Sequence, residues 1–487
     1  MSRGASAGVG RAEIAEALSA IGLQSSVNGL PQRDFGGVVR ATPSAIVDAH
    51  TADEVKRVFA VAGELDLPVV TQGTAHSVGG QSLVSDGIIL RNRVREEPDW
   101  VSEDEIDVPT GLHWRGIESV VRERGRAIPV VTSVLDISAG GTLAVGGYGT
   151  ATPRRGAQID HVRGLELVTP NGETHWCSEA ENEELFRFSL AGAGQLGVIT
   201  RVRLRTEPSR PSAELHGYSV PSLSAMAEAL EWMGDPDVSL PPYMRAFSYK
   251  PDRPGIVLFG RLGKRPSEGD GLSFVEGDAE LERVRERLGP AETVMPADDV
   301  RLLEDQFDSD WVDRYPDHFR LWVDAGFSYD GFRTYCRELE RLARLGTFGK
   351  AIRAVYVSVV PNPRGGSGYF PFDIRAPERT ARTFTCGVYC MVPAGDAQAL
   401  SQARRGLDAA AQLVAGVGGR PYIYGFNEMG PASWRRAFGS EAVEQLQDLK
   451  AKVDRGRLIP PPWDRIGTES PPPDRWRRTR RFRPTDA

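Results

Sequence analysis

The chain has 487 residues, enough at roughly 100 to 200 residues per domain for two to four domains and a sizeable core. Its 59 Lys and Arg against 66 Asp and Glu leave a net charge of −7, which excludes a whole-chain electrostatic grip on nucleic acid. With 40% hydrophobic and 26% charged residues and no uninterrupted apolar run long enough to span a bilayer, it reads as a globular protein with no place in a membrane.

Four cysteines are too few for a disulfide scaffold, and the opening stretch lacks an apolar run followed by a small-residue cleavage site, so a cytoplasmic location is expected. Ile14, Leu18 and Ile21 stand at helical spacing and predict a short helix within 10–24. Short β-rich runs then alternate with helices to about Pro208. Residues 44–50 read as a strand, 51–66 as a helix with Thr51 as N-cap and Glu54 completing a capping box, and 67–73 and 87–92 as two more strands. Residues 105–111 and 112–125 repeat the strand and helix, and Asn171-Gly172 marks a hairpin turn. Residues 181–190 read as a helix, then 197–207 as a strand with Val198, Thr200, Val202 and Leu204 inward, or the opposite set. This is the α+β pattern of a nucleotide-type domain.

After the link TEPSRPS, longer helices (222–233, 278–289, 331–346) lie between β runs at 255–262, 352–360 and 383–393, predicting a second, substrate-side domain. Cys386 and Cys390 have metal-like spacing. On a strand, however, they share a face about 13 Å apart, too far for one zinc, and read as core thiols; no metal is expected. Residues 431–454 are amphipathic and helical, and the prolines of RGRLIPPPW stop them.

Two glycine signals carry chemistry. Gly192, Gly194 and Gly197 satisfy G-x-G-x-x-G, but a helix precedes them and a strand follows. That is the reverse of the order that sets a helix N-terminus on a pyrophosphate, so a classical Rossmann site fails. The second is VVTQGTAHSVGGQS, residues 69–82, where Gln72 to Ser77 can aim backbone N–H groups into one concavity suited to pyrophosphate. His76 within that turn reads as a structural histidine, a general base or a nucleophile toward a bound cofactor.

The run GTAHSVGGQS resembles the Gly-x-x-His-Ser turn of FAD domains of the vanillyl-alcohol oxidase and p-cresol methylhydroxylase (PCMH) type, in the cytokinin dehydrogenase-like branch. The resemblance continues in order through 34–55, 138–149, 154–173 and 181–204, and more loosely through SWRRAFG and KAKVD near the C-terminus. It implies an α+β fold with a lead-in at 1–33, a two-subdomain PCMH-type FAD-binding domain at 34–208, and an α/β substrate (cap) domain with an antiparallel sheet at 209–425. A segment at 426–465 would return to the FAD domain; independently of the resemblance, the Pro/Arg-rich composition of 466–487 predicts a disordered tail. The resemblance further implies FAD held covalently by His76 through the 8α-methyl group. Gln72, Gly73, Thr74, Ala75 and Ser77 would line the pyrophosphate, with Gln81 nearby. Gly140, Gly141, Thr142, Gly146 and Gly147 would pass the flavin and diphosphate where side chains cannot fit, with Val198 and Ile199 by the adenine or ribose. The competing reading is tight β turns without a ligand. The glycine-rich middle segment has no cysteine, so a single covalent bond is expected.

The chain also departs from that branch. Aligned on Gly140 and Gly141, Ser133 stands where cytokinin dehydrogenases have the aspartate that takes a proton from the substrate amine, and a serine hydroxyl is far too weak a base. Cytokinin specificity is therefore not implied. Asp136 is the candidate base if a bulge turns it to the site; otherwise it partners a backbone amide. PPPW replaces the family's Pro-Gly-Gln, leaving Trp463 to cap the ring edge or to pack. Residues 362–374 read as a mobile flap. Tyr369, Tyr389, Tyr422, Tyr424, Asn427 and Glu428 are candidate substrate contacts, with Tyr389 and Tyr424 beside Asp136 as candidate catalytic residues.

The expectation is an FAD-dependent oxidase or dehydrogenase that takes a hydride from a C–H next to O or N of a small organic substrate to flavin N5, with O2 or another acceptor reoxidising it. It would act as a monomer or homodimer in specialised metabolism, oxidative cyclisation included. The alternatives are an NAD(P)H-dependent reductase with noncovalent flavin and a catalytically degenerate binding protein of the same fold.

Overall fold

A computed structural model describes residues 10–26, 29–264, 273–297, 315–362, 370–375, 381–426 and 429–463. Tyr369, most of the expected flap, Asn427, Glu428 and the 466–487 tail lie outside the described residues.

The helix Arg11–Ala20 buries Ile14 and Leu18 against a four-stranded sheet. In that sheet Ala45–Ala49 and Val69–Gln72 flank Ile88–Asn92 in parallel, and the helix Ala52–Glu64 makes the crossover that parallel strands require. Thr51 Oγ1 caps this helix by accepting from the Glu54 N–H at 3.1 Å. The Glu54 carboxylate reaches back to the His50 N–H at 2.7 Å, so the reciprocal bond closes one residue before the cap.

A second, antiparallel sheet of five strands runs Thr174–Cys177, Val162–Val168, Val198–Arg205, Glu105–Pro109 and Asp99–Trp100. Its first hairpin turns at Gly172, whose φ of 84° suits glycine. Along Val198–Arg205 the set Val198, Thr200, Val202 and Leu204 is buried.

Among the described residues a nine-stranded antiparallel sheet carries the rest. Its central order is Tyr243–Ser248, Ile352–Pro361, Arg382–Pro393 and His318–Phe327. Side chains alternate across it. Leu321, Val323, Ala325, Cys386, Val388, Cys390, Val355 and Val357 form the core on the face covered by the helices Tyr329–Arg344 and Ala397–Gly416. The opposite face presents Arg320, Trp322, Asp324, Tyr356 and Tyr389 to a cavity.

The C-terminal helical stretch divides into Pro431–Phe438 and Ser440–Val453 at Gly439, φ 93°. Beyond it the chain returns to the first sheet. Leu458 O accepts from the Val69 N–H at 2.8 Å, and buried Asp454 accepts from the N–H groups of Leu458 and Ile459. Arg375, 2% exposed, joins the two halves by pairing with Asp160 at 2.7 and 2.9 Å and with Asp373. No helix among the described residues is long and apolar enough to cross a membrane.

Candidate cofactor site and active site

A cavity of about 500 Å³ lies between the two smaller sheets and the large one, and one side is the turn that leaves the strand Val69–Gln72. Gly73, Thr74, Ala75, His76 and Ser77 all line it. Ala75 takes a left-handed conformation, φ 57°, which costs a non-glycine residue on the order of 1–2 kcal/mol and is met here beside the candidate cofactor ligand. His76 stacks on Phe35 with ring centroids 3.9 Å apart. Burial, with the nearby Arg320 guanidinium, lowers its pKa to about 4, so at neutral pH it is the neutral, nucleophilic imidazole.

The adjoining wall is built for close approach. A Cβ on Gly73 would lie 2.0 Å from Ser138 Oγ, and one on Gly197 would lie 2.2 Å from Val168 O. Gly140, Gly141 and Thr142 line the cavity, as do Val198 and Ile199, whose backbone is fixed by Asn92 through a 3.0 Å bond to Ile199 O. Ser138 Oγ and Ser189 Oγ are buried on this wall with no hydrogen-bond partner among the described residues. Orphaned hydroxyls, side-chain-free backbone and a neutral imidazole in one elongated cavity fit a flavin dinucleotide.

The third wall is the large sheet, and it holds a carboxylate that the sequence reading missed. Asp324 Oδ2 accepts from the hydroxyls of Tyr389 and Tyr424, each at 2.8 Å, and the two hydroxyl oxygens lie 2.9 Å apart. Oδ1 takes no hydrogen bond from the described residues. Burial raises Asp324 to about 6 against the opposing effect of the tyrosine bonds. Burial and the Asp324 charge push both tyrosines well above their ordinary value, so they remain donors. A clue was present: Asp324 is a lone acid in the apolar run LWVDAGF.

Several expected residues sit elsewhere. Asp136 is absent from the cavity wall: its half-exposed carboxylate forms a two-point pair with Arg115 at 2.7 and 2.9 Å, which holds it below the usual carboxylate range. Residues 131–137 are irregular, not a strand, so alternation could not have placed it. Gln72 points away from the cavity, bonding Ser82 O and accepting from Arg91. Gly146 and Gly147 lie behind the wall, where Gly147 packs on Gln158 and donates its N–H to Tyr422 Oη at 3.1 Å. Gln81 lines the cavity, but its amide donates to Ile423 O and Gly425 O on either side of Tyr424. Trp463 packs edge-on against Trp434. Ser133 does line the cavity, with Thr132 and Val134.

Residues 43–178 match the family described as FAD binding domain. The chain is 30% identical over 179 residues to an uncharacterized oxidoreductase in the fasciation locus of Rhodococcoides fascians, covering 37% of this chain and 41% of that protein. It is 33% identical over 183 residues to cytokinin dehydrogenase 2 of Arabidopsis thaliana (37% and 36% covered) and 34% identical over 187 residues to cytokinin dehydrogenase 9 of Oryza sativa subsp. japonica (36% and 36%). The likeness thus spans about two fifths or less of each relative's length. Over that part the chain is similar to FAD binding domains, with cytokinin dehydrogenases among its relatives.

Proposed function

We propose that this chain is an FAD-dependent oxidoreductase acting on a C–H bond next to oxygen or nitrogen in a small organic substrate. FAD, when bound, supplies the two-electron acceptor, and O2 or another acceptor restores it. His76, whose imidazole is neutral at any pH above about 4, would be the residue that holds the cofactor covalently. Gly73 to Ser77, Gly140 and Gly141 cradle the dinucleotide, and the Ser138 hydroxyl offers it a hydrogen bond.

Asp324 is the base. A carboxylate raised to about 6 is matched to taking an O–H or N–H proton near neutral pH. Tyr389 and Tyr424 fix Oδ2 and leave Oδ1 for the incoming proton. The single supporting observation is that one cavity joins the His76 turn to this carboxylate. Cytokinins are not the favoured substrates. The loop position occupied by Ser133 supplies no base, and Asp324 approaches from the large sheet instead.

The test is rapid mixing of flavin-loaded wild type and Asp324→Asn with a panel of alcohols and amines. A substrate that bleaches the flavin band of wild type should do so about 100-fold or more slowly in the variant, the usual scale for a general base. Equal bleaching rates would remove Asp324 from the mechanism.

A further inference from the structure

Two stretches of irregular backbone complete the cofactor side of the cavity. One is the turn 191–197, whose residues from Ala193 to Gly197 line the cavity; the other is 459–462, which lines it with Ile459 and three prolines. Neither belongs to a helix or a strand. The turn is also strained. Ala191 and Ala193 take left-handed conformations, φ 54° and 55°, which persist only where the surroundings impose them. Part of the constraint comes from the glycine-rich helix Ala139–Leu143 and the residue after it, because the Ala191 and Ala193 N–H groups donate to Leu143 O and Ala144 O, each at 2.8 Å.

Lys450 supplies a further tie, and it bridges both stretches. From the helix Ser440–Val453 its ammonium donates to Gln195 O at 3.0 Å, to Gln195 Oε1 at 3.3 Å and to Ile459 O at 3.0 Å. Asp454 Oδ2 lies 3.6 Å away, and that carboxylate holds the N–H groups of Leu458 and Ile459 at 2.7 and 3.0 Å. The two side chains are 15% and 0% exposed. Burying an ammonium is costly unless its donors and its charge are met, and here three acceptors and a carboxylate meet them. The clamp belongs to the cofactor wall: Leu458 and Ile459 pack with Val69, Val168 and Val198, whereas Asp324 stands on the large sheet.

From this geometry we infer that Lys450 is a positioning residue for the dinucleotide, holding the 191–197 turn and the 459–462 stretch at the spacing the cofactor needs. It is absent from the cavity wall itself, so it acts through Gln195 and Ile459. The inference rests on FAD occupying this cavity. The tie depends on charge. Burial lowers the Lys450 pKa to about 8, against the attraction of Asp454, which raises it. Asp454 is the charged group that faces it: 191–197 and 458–463 contain no charged residue, and Lys452, Arg455 and Arg457 are exposed. As pH rises past about 8 the ammonium becomes an amine, loses one donor and the pull of Asp454, and releases the turn. FAD affinity should therefore fall on the alkaline side.

The test is titration of FAD, read by quenching of flavin fluorescence, into flavin-free His76→Ala protein, where the cofactor can exchange, and into Lys450→Met and Lys450→Arg made in that background. Titrations run from about pH 7 to 9.5, with circular dichroism reporting the fold. The His76→Ala parent should bind FAD severalfold more weakly at the alkaline end than at pH 7.5. Lys450→Met should bind roughly tenfold or more weakly than the parent at pH 7.5 and show no pH dependence. Lys450→Arg, charged throughout, should recover part of the affinity with a flat profile, which a merely structural role would not produce. A parent affinity that does not change with pH, or a folded Lys450→Met that binds as tightly as the parent or keeps its profile, would overturn the inference. Should Lys450→Met not fold, the parent's profile and Lys450→Arg decide it. Should His76→Ala take up no FAD, the flavin stoichiometry of purified Lys450→Met against wild type decides it, and equal loading would overturn the inference. Wild type purified without flavin would sink the oxidoreductase reading itself, whereas flavin-loaded wild type beside an unaffected Lys450→Met would sink the inference alone.

Discussion

The Asp324 carboxylate occupies the space above Gly387 where any other residue would carry its Cβ: built there, a Cβ would lie 1.5 Å from Oδ1. Gly387 is thus the floor on which the base rests, one strand away in direct register. The variant Gly387→Ala should displace Asp324 and lower kcat by about 100-fold, comparable to losing the base, while circular dichroism and flavin content stay close to wild type. A fully active Gly387→Ala would mean that the carboxylate's position is not needed.

The pH profile follows from the Asp324 environment. With its pKa raised to about 6 by burial, the carboxylate is ionised above that value and protonated below it. The rate of flavin reduction should therefore be flat above about pH 6 and fall about tenfold per unit beneath it. Tyr389 and Tyr424, pushed well above 10, should add no limb between pH 6 and 9. In Asp324→Asn the acidic limb should vanish, and its survival would assign the limb to another group.

Gln81 couples the two halves of the site. Its amide donates to Ile423 O at 3.0 Å and Gly425 O at 2.8 Å, bracketing Tyr424, while its Oε1 accepts from the Gly79 N–H at 2.8 Å. The variant Gln81→Ala removes bonds worth about 1 kcal/mol each, so chemical denaturation should report a loss of about 2–3 kcal/mol. Tyr424 would also lose its register on Asp324. We expect kcat to fall more than KM rises.

Arg375 is buried between Asp160 and Asp373, and the Asp373 carboxylate also accepts from the Tyr148 hydroxyl. Replacing it with Met leaves the buried Asp373 carboxylate and the partly exposed Asp160 carboxylate without their cation, at a cost of about 3–5 kcal/mol. Differential scanning calorimetry should show a clear drop in Tm for Arg375→Met and a smaller one for Arg375→Lys, which keeps the charge but not the fork.

What could be read from the sequence divides along physical lines. Local patterns were legible: the capping of 52–64, the Asn171-Gly172 hairpin, and the small-residue turn around His76 are all set by residues within a few positions. The proposed base was not legible, because the setting of Asp324 is made by Gly387, Tyr389 and Tyr424, which lie 63 to 100 residues away. Proximity to the glycine segment pointed to Asp136, but Arg115 draws that side chain to the surface. Gln72, Gly146 and Gly147, which the motif also suggested, do not line the cavity. They shape the turns behind the cavity wall, and such a role looks the same in sequence as a ligand contact.

The central claim, a dinucleotide flavin bonded to His76 in this cavity, is most directly tested by intact mass spectrometry of acid-denatured wild type and His76→Ala. Wild type should carry the added mass of one FAD and give a yellow precipitate, and His76→Ala should show the bare polypeptide mass with any colour left in solution. A wild-type protein of unmodified mass, with no flavin in either fraction, would contradict the account.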